Sequence, residues 1–152
     1  MAALPFCALA LLLFVSCRTG PPLPPTDFSA PGWHVRQGQA VWKPSRDRPE
    51  LAGDLLLAVN TNGDFVIQFS KTPFALAAAK VVDGRWQIEF GNGQRSWRGP
   101  VPPPQRFVWF QLPKALTGKP VAAPWKVAKR ADDSWRLENA GTGESLEGQL
   151  FQ

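Results

Sequence analysis

The chain has 152 residues, 17 basic and 12 acidic, with a net charge of +5. That length suits one hydrophobic core, and the mild basic excess favours anionic lipid surfaces or acidic partners. One histidine and two cysteines exclude a metal cluster of the usual His/Cys type and a disulfide framework. The basic residues are spread along the chain, so nucleic acid is not an expected partner.

Residues 3–16 carry no charge and lead into Phe14-Val15-Ser16-Cys17, a small residue directly before a cysteine. This is the lipobox pattern of a bacterial lipoprotein. The apolar run is shorter than the ~20 residues of a membrane span and matches a secretory leader, although no Lys or Arg stands near Met1. Residues 1–16 therefore read as a signal peptide and Cys17 as the lipidated residue. Cys7 leaves with the leader. Arg18 follows the cysteine, where Asp would signal retention in an inner membrane, so the expected site is the bacterial outer membrane, facing the periplasm.

Residues 17–32 form the second segment. Pro21, Pro22, Pro24, Pro25 and Pro31 make it an extended tether, with a reach of roughly 40 Å at ~3.1 Å per residue.

From Trp33 to the C-terminus (33–152) the pattern is β, arranged in hairpins. Asn62-Gly63 between two apolar runs marks a hairpin over Asp54–Lys71. A turn centred there pairs Asn60 with Phe65, Ala58 with Ile67, Leu56 with Phe69 and Asp54 with Lys71. The other face, with Leu55, Leu57, Val59 and Val66, is also apolar, so something should cover or fill it. Asp83-Gly84 sets Val81 against Trp86, Ala79 against Ile88 and Ala77 against Phe90. Polar pairs Lys80/Gln87 and Ala78/Glu89 then face the other way. Asn92-Gly93 leads to a strand over Gln94–Arg98, in which Trp97 extends the Trp86, Ile88, Phe90 face. Gln105–Leu112, entered through Pro102-Pro103-Pro104 and ended by Pro113, is the single helical segment. Trp125–Arg130, Ser134–Asn139 and Ser145–Phe151 are strands of open register. The expected fold is mainly β, an antiparallel open β-barrel with a short helical lid.

No catalytic constellation is present. His34 stands alone, Asp132-Asp133 and Glu144/Glu147 read as solvated turns, and Gly91-Asn92-Gly93 is hairpin chemistry. A binding role without catalysis, cofactor or metal is the expectation. Seven tryptophans and ten phenylalanines can build either a filled aromatic core or a wide apolar cavity suited to acyl chains.

The order of these features resembles the LolA/LolB group of periplasmic lipoprotein carriers, most closely its outer-membrane receptor branch. The resemblance covers roughly Trp33–Gly118. It rests on the lipobox and tether, a tryptophan-bearing first strand, the Asp54–Lys71 hairpin and Ser70-Lys71-Thr72-Pro73-Phe74. Strands with Trp86, Ile88 and Phe90 follow, then a proline-led segment with Trp109 running into Leu116-Thr117-Gly118. The resemblance implies a half-barrel whose walls (Leu56, Ile67, Phe69, Trp86, Ile88, Phe90, Trp97) shield acyl chains under a lid of Phe107, Trp109, Phe110 and Leu112. It also implies a membrane-inserting loop at Pro73-Phe74, with an aromatic where the family has leucine. The implied partners are a lipid or acylated lipoprotein, a periplasmic lipoprotein carrier, and the membrane through the anchor, with the chain acting as a monomer. Two readings stand beside it: an envelope lipoprotein with a filled aromatic core and no ligand, and an exported enzyme inhibitor using edge strands and the Pro100–Pro104 loop.

Overall fold

A computed structural model describes residues 20–151; the leader and Cys17 lie outside them. Nine strands pair antiparallel in one sheet: β1 (Trp33–Lys43), β2 (Leu51–Asn60), β3 (Phe65–Lys71), β4 (Phe74–Val82), β5 (Arg85–Phe90), β6 (Arg95–Pro100), β7 (Trp125–Lys129), β8 (Trp135–Asn139) and β9 (Glu144–Phe151). The spatial order is β6-β5-β4-β3-β2-β1-β9-β8-β7, so β6 and β7 are its edges. One helix, α1 (Val108–Leu116), joins β6 to β7. The fold is mainly β and open, as expected. No helix among the described residues is long and apolar enough to cross a membrane.

The sheet is curled. Trp42 on β1 and Phe90 on β5 lie four strand positions apart, about 19 Å in a flat sheet, yet their rings stack at 5.7 Å. Glycine permits the tightest part of this curl. A Cβ at Gly38 would run into the Gln149 carbonyl, one at Gly53 into the Ser70 carbonyl, and one at Gly148 into the Gln39 carbonyl. These three residues sit on adjacent strands β2, β1 and β9, each facing a neighbouring strand's backbone where a side chain would not fit.

The Asp83-Gly84 hairpin has the register read from sequence, including Ala79 with Ile88 and Ala77 with Phe90. Trp97 lies opposite Ile88 and continues that face. The β2–β3 register is one residue off the expectation: Leu57 pairs with Ile67, Leu55 with Phe69 and Asp54 with Ser70. The cause is the turn. Gly63 N–H donates to the Asn60 carbonyl and Asn60 N–H to the Asp64 carbonyl, with Gly63 at φ +96°. The loop is thus three residues, Thr61-Asn62-Gly63, rather than two. A slip of one exchanges the faces of a strand. Leu55 and Leu57 point into the hollow with Ile67 and Phe69, while Leu56, expected as a cavity wall, lies on the opposite face beside Gln68.

The helix also departs from the expectation. It begins at Val108 and runs through Pro113 to Leu116. Pro113 lacks the N–H that would reach the Trp109 carbonyl, a loss of ~3 kcal/mol in a helix interior. Burial outweighs it: Val108, Trp109, Phe110, Leu112 and Ala115 are all buried, at ~1.5–3 kcal/mol for each large apolar side chain. The end is closed by Gly118 at φ +73°, with Gly118 N–H donating to the Ala115 carbonyl and Lys119 N–H to the Lys114 carbonyl. This is the glycine-closed helix end that leaves few carbonyls unpaired. Buried Gln111 ties the helix to its flanks, donating to the Gln105 carbonyl and accepting from Ala122 N–H.

The helix fills the hollow of the sheet. Trp109 lies 5.3 Å from the Trp42 ring and 5.4 Å from Phe69, and Phe110 lies 5.8 Å from Trp86. Ile67, Phe69 and Ile88 are 0% exposed. Of the residues expected as walls and lid of a deep acyl cavity, Ile67, Phe69, Ile88, Trp109, Phe110 and Leu112 are therefore core, packed against one another.

The proline-rich segment is extended but not free. From Gly20 it crosses the outer face of the sheet as a strap. Arg98 donates to the Gly20 carbonyl at 3.2 Å, and Lys80 Nζ to the Leu23 and Pro24 carbonyls at 3.0 and 2.9 Å. Leu23 N–H donates to Gln87 Oε1 at 2.7 Å. Phe28 then meets Trp33 edge to face at 5.6 Å. The strap lies over Val66 and Ala78, supplying cover for the second apolar face noted in the sequence.

Two outcomes follow. Trp109→Ala should cost about 3–5 kcal/mol, read as a fall in the denaturation midpoint. Lys80→Ala should speed proteolysis within residues 20–32 several-fold, while the unfolding free energy of the core changes by no more than about 1 kcal/mol.

Candidate functional site

Antiparallel pairing gives the curled sheet two ends. One end, the mouth, carries Lys43, Lys71, Phe74, Phe90, Arg95 and Glu144 at strand termini. A cleft of about 460 Å³ opens there, lined by Trp42, Leu76, Phe90, Arg95, Trp97, Arg106, Phe107, Thr142 and Glu144.

Each lining group has a local cause. Trp42 lies opposite Leu51 and Leu146, with one edge in the core and its indole N–H at the mouth. Leu76 is the extra residue of a bulge, since Phe69 pairs with Ala77 but Ser70 pairs with Ala75. A bulge re-aims side chains at a sheet's rim, and here it turns Leu76 into the cleft. Phe90, Trp97 and Phe107 form a triangle with ring centroids 6.0–6.1 Å apart, a spacing at which aromatic pairs attract. The Arg106 guanidinium lies 4.8 Å from the Phe107 ring centroid, a cation–π contact. Arg95 and Arg106 are exposed on the rim.

Glu144 is the one titratable group the site perturbs strongly. Burial pushes its carboxyl up to about 7 from the ordinary 4.5, while the hydrogen bond from Trp42 acts in the opposite direction. Trp42 Nε1–H donates to Glu144 Oε1 at 3.1 Å, and no cation among the described residues forms an ion pair with it. The mouth thus holds an aromatic floor, two rim cations and a carboxyl that is partly protonated near neutrality. It can take a slender apolar group whose polar end stays at the rim.

The residues singled out from sequence divide three ways. Phe90, Trp97 and Phe107 line the cleft. Ile67, Phe69, Ile88, Trp109, Phe110 and Leu112 are core, and Trp86 packs on Phe110 away from the mouth. Pro73 belongs to the Thr72-Pro73 turn, and Phe74 begins β4 opposite Lys71. Phe74 is 57% exposed on the side shared with Phe69, two residues from Leu76. Cys17 lies outside the described residues.

Sequence reading missed Trp42, Leu76, Arg95, Arg106, Thr142 and Glu144 as site residues. It grouped Glu144 with Glu147 as solvated. Glu147 is indeed at the surface, held by Arg136 at 2.8 Å, but Glu144 opens β9 beneath the Trp42 ring. No local signal marks that difference, because β9 meets β1 across more than 100 residues of chain. Asp132 accepts from the N–H and hydroxyl of Ser134, a turn as expected. Among the described residues no metal-ligand cluster occurs.

Glu144 supplies a pH dependence. Its folded-state carboxyl binds a proton more tightly than the unfolded one, so its contribution is full below pH ~4.5 and is lost as pH rises through about 7. Glu144→Gln keeps an acceptor for Trp42. It should therefore raise the thermal midpoint at pH 8 and leave it nearly unchanged at pH 4. Equal shifts at both pH values would place the carboxylate in solvent. Comparison with models of protein families and with curated proteins finds no match to this chain.

Proposed function

We infer that this chain is an outer-membrane-anchored lipoprotein, held through Cys17 and facing the periplasm. On this reading it is a LolA/LolB-like half-barrel that binds an acyl chain of a lipoprotein or lipid and assists its delivery to the membrane. The observation that carries the reading is the aromatic cleft at the mouth, about 460 Å³ in volume and within the ~300–1,000 Å³ range of ligand pockets.

The filled hollow changes where cargo would sit. With Trp109 and Phe110 packed into the sheet, the acyl chain lies across Phe90, Trp97 and Phe107 rather than deep among Ile67, Phe69 and Ile88. Each buried methylene contributes ~0.8 kcal/mol, enough for selective capture and weak enough for release to a bilayer. Arg95 and Arg106 would meet an anionic group at the head of the chain. Phe74, beside Leu76 at the lip, would touch the membrane that receives the cargo. A periplasmic lipoprotein carrier is the implied donor, and the chain would act as a monomer.

One observation favours a second reading. The core is filled by α1, as it would be in an envelope lipoprotein that serves structure or interaction and holds no ligand.

Titration with an environment-sensitive apolar dye separates the two. The domain Gly20–Gln152, which contains the whole core, should bind the dye saturably at one site and release it to a soluble single-chain lipid. Trp97→Glu should weaken this at least ~10-fold without unfolding the domain. Absence of saturable binding would leave the structural reading.

A further inference from the structure

The mouth cleft is lined by one acid and two bases that do not meet. Glu144, Arg95 and Arg106 all face it, yet among the described residues none of the three forms an ion pair. A carboxylate drawn out of water is ordinarily held by a cation or by several donors. Glu144 is half-buried and has one side-chain donor, Trp42 Nε1–H, which reaches Oε1 at 3.1 Å. Oε2 accepts from no described residue. Burial raises its carboxyl pKa, and no neighbouring base offsets that rise. A perturbed carboxyl in a cleft, with a free oxygen and no cation, is an acceptor awaiting a partner.

Aromatic rings hold these charges apart in a fixed order. Trp42, which holds Glu144, stacks on Phe90 at 5.7 Å with the planes 19° apart. Phe90 lies opposite Arg95 in the β5–β6 ladder. Trp97 is two residues on from Arg95, hence on the same face of β6, and its ring lies 6.1 Å from Phe90. Phe107 completes the triangle beside Arg106. The acid therefore stands on the Trp42 side of Phe90, and the bases stand on the Trp97 and Phe107 side. Arg106 already rests over the Phe107 ring at 4.8 Å, which shows that a ring face here accepts a cation. Its planar fork is suited to an oxyanion.

An acyl chain by itself uses none of these charges. A ligand that answers all of them carries a cation, an anion a few bonds away, and an apolar body. We propose that the cleft recognises a zwitterionic phospholipid headgroup, the phosphate ester of an ammonium alcohol. The ammonium lies against Glu144 Oε2 and the rings of Trp42 and Phe90, and the phosphate lies between Arg95 and Arg106. This deepens the acyl-chain reading by naming the headgroup, and it rests on the mouth cleft being a lipid site. A lipid with the phosphate and no amine would satisfy the arginines but leave Glu144 unpaired, which is how the site discriminates.

Calorimetric titration of the Gly20–Gln152 domain with three short-chain lipids, each below its micelle concentration, tests this. Dihexanoyl phosphatidylcholine, phosphatidylethanolamine and phosphatidylglycerol share their chains and phosphate and differ in the amine. The two amine lipids should bind about 10-fold more tightly than the glycerol lipid. A lead for the choline lipid would make the ring faces the chief contact, and a lead for the ethanolamine lipid would make it Oε2. Glu144→Gln should bring all three within about threefold of one another, with its thermal midpoint reporting that it is folded. Arg95→Gln with Arg106→Gln should weaken all three alike. Equal binding of amine and glycerol lipids by the unaltered domain, which needs no variant, would overturn the proposal and leave the acyl-chain reading in place. A preference that survives Glu144→Gln would do the same. Absence of saturable binding by any of the lipids would end both. Phosphocholine without chains, bound as tightly as its lipid, would count against the acyl chain alone.

Discussion

Trp109 sits between Trp42 and Phe69 at ring distances of 5.3 and 5.4 Å, and the rest of the structure depends on that contact. A nine-stranded sheet curled this tightly encloses a hollow that water cannot favourably occupy, because its walls are Leu, Ile and Phe. Something apolar must fill it. The chain supplies the filling from its own connection between β6 and β7, and the same burial holds a helix together around Pro113. The helix is a plug whose removal would open the core, which is a different device from a hinged cover.

That plug decides where a ligand could go. By occupying the hollow, α1 leaves no room for a ligand there, and the mouth cleft opens where Phe107 at the helix start meets Phe90 and Trp97. Trp42 is shared between the two regions. Its ring faces reach Phe90, Phe69 and Trp109, and its indole N–H holds Glu144. Changes at the cleft floor are thus coupled to the core through one rigid side chain. The buried carboxyl adds sensitivity to pH at the place where the apolar floor meets the basic rim.

The outer face shows the same economy. Two prolines in each of Pro21-Pro22 and Pro24-Pro25 remove backbone N–H groups, so the segment cannot join the sheet as a strand. It offers carbonyls instead, and Lys80, Arg85 and Arg98 take them. An anchor at Cys17, as proposed, would leave only Arg18 and Thr19 before the first held position, Gly20, about 11 Å at full stretch. On that reading the long reach expected of a free tether would give way to a short one, because the segment from Gly20 onward is held to the sheet.

Local chemistry in the sequence determined the mainly β class, the strands, and the pairing at Asp83-Gly84, where a two-residue turn with both residues at positive φ leaves one register. It also determined that Trp97 shares a face with Ile88 and that the last strands are separated by Asp132-Asp133 and Ala140–Gly143. Tertiary structure decided the rest. Whether Asn62-Gly63 closes a two- or three-residue loop depends on which face of β2 the core requires, and the answer moved Leu56 out of the hollow and Leu55 and Leu57 into it. Whether a proline ends a helix depends on how much burial lies beyond it, which no local signal around Pro113 reveals. Glu144 and Glu147 look alike in sequence, and only the return of β9 to β1 buries one and leaves the other with Arg136. Short-range rules act between neighbours in the chain. The cleft and the plug arise between residues that meet only when the sheet curls.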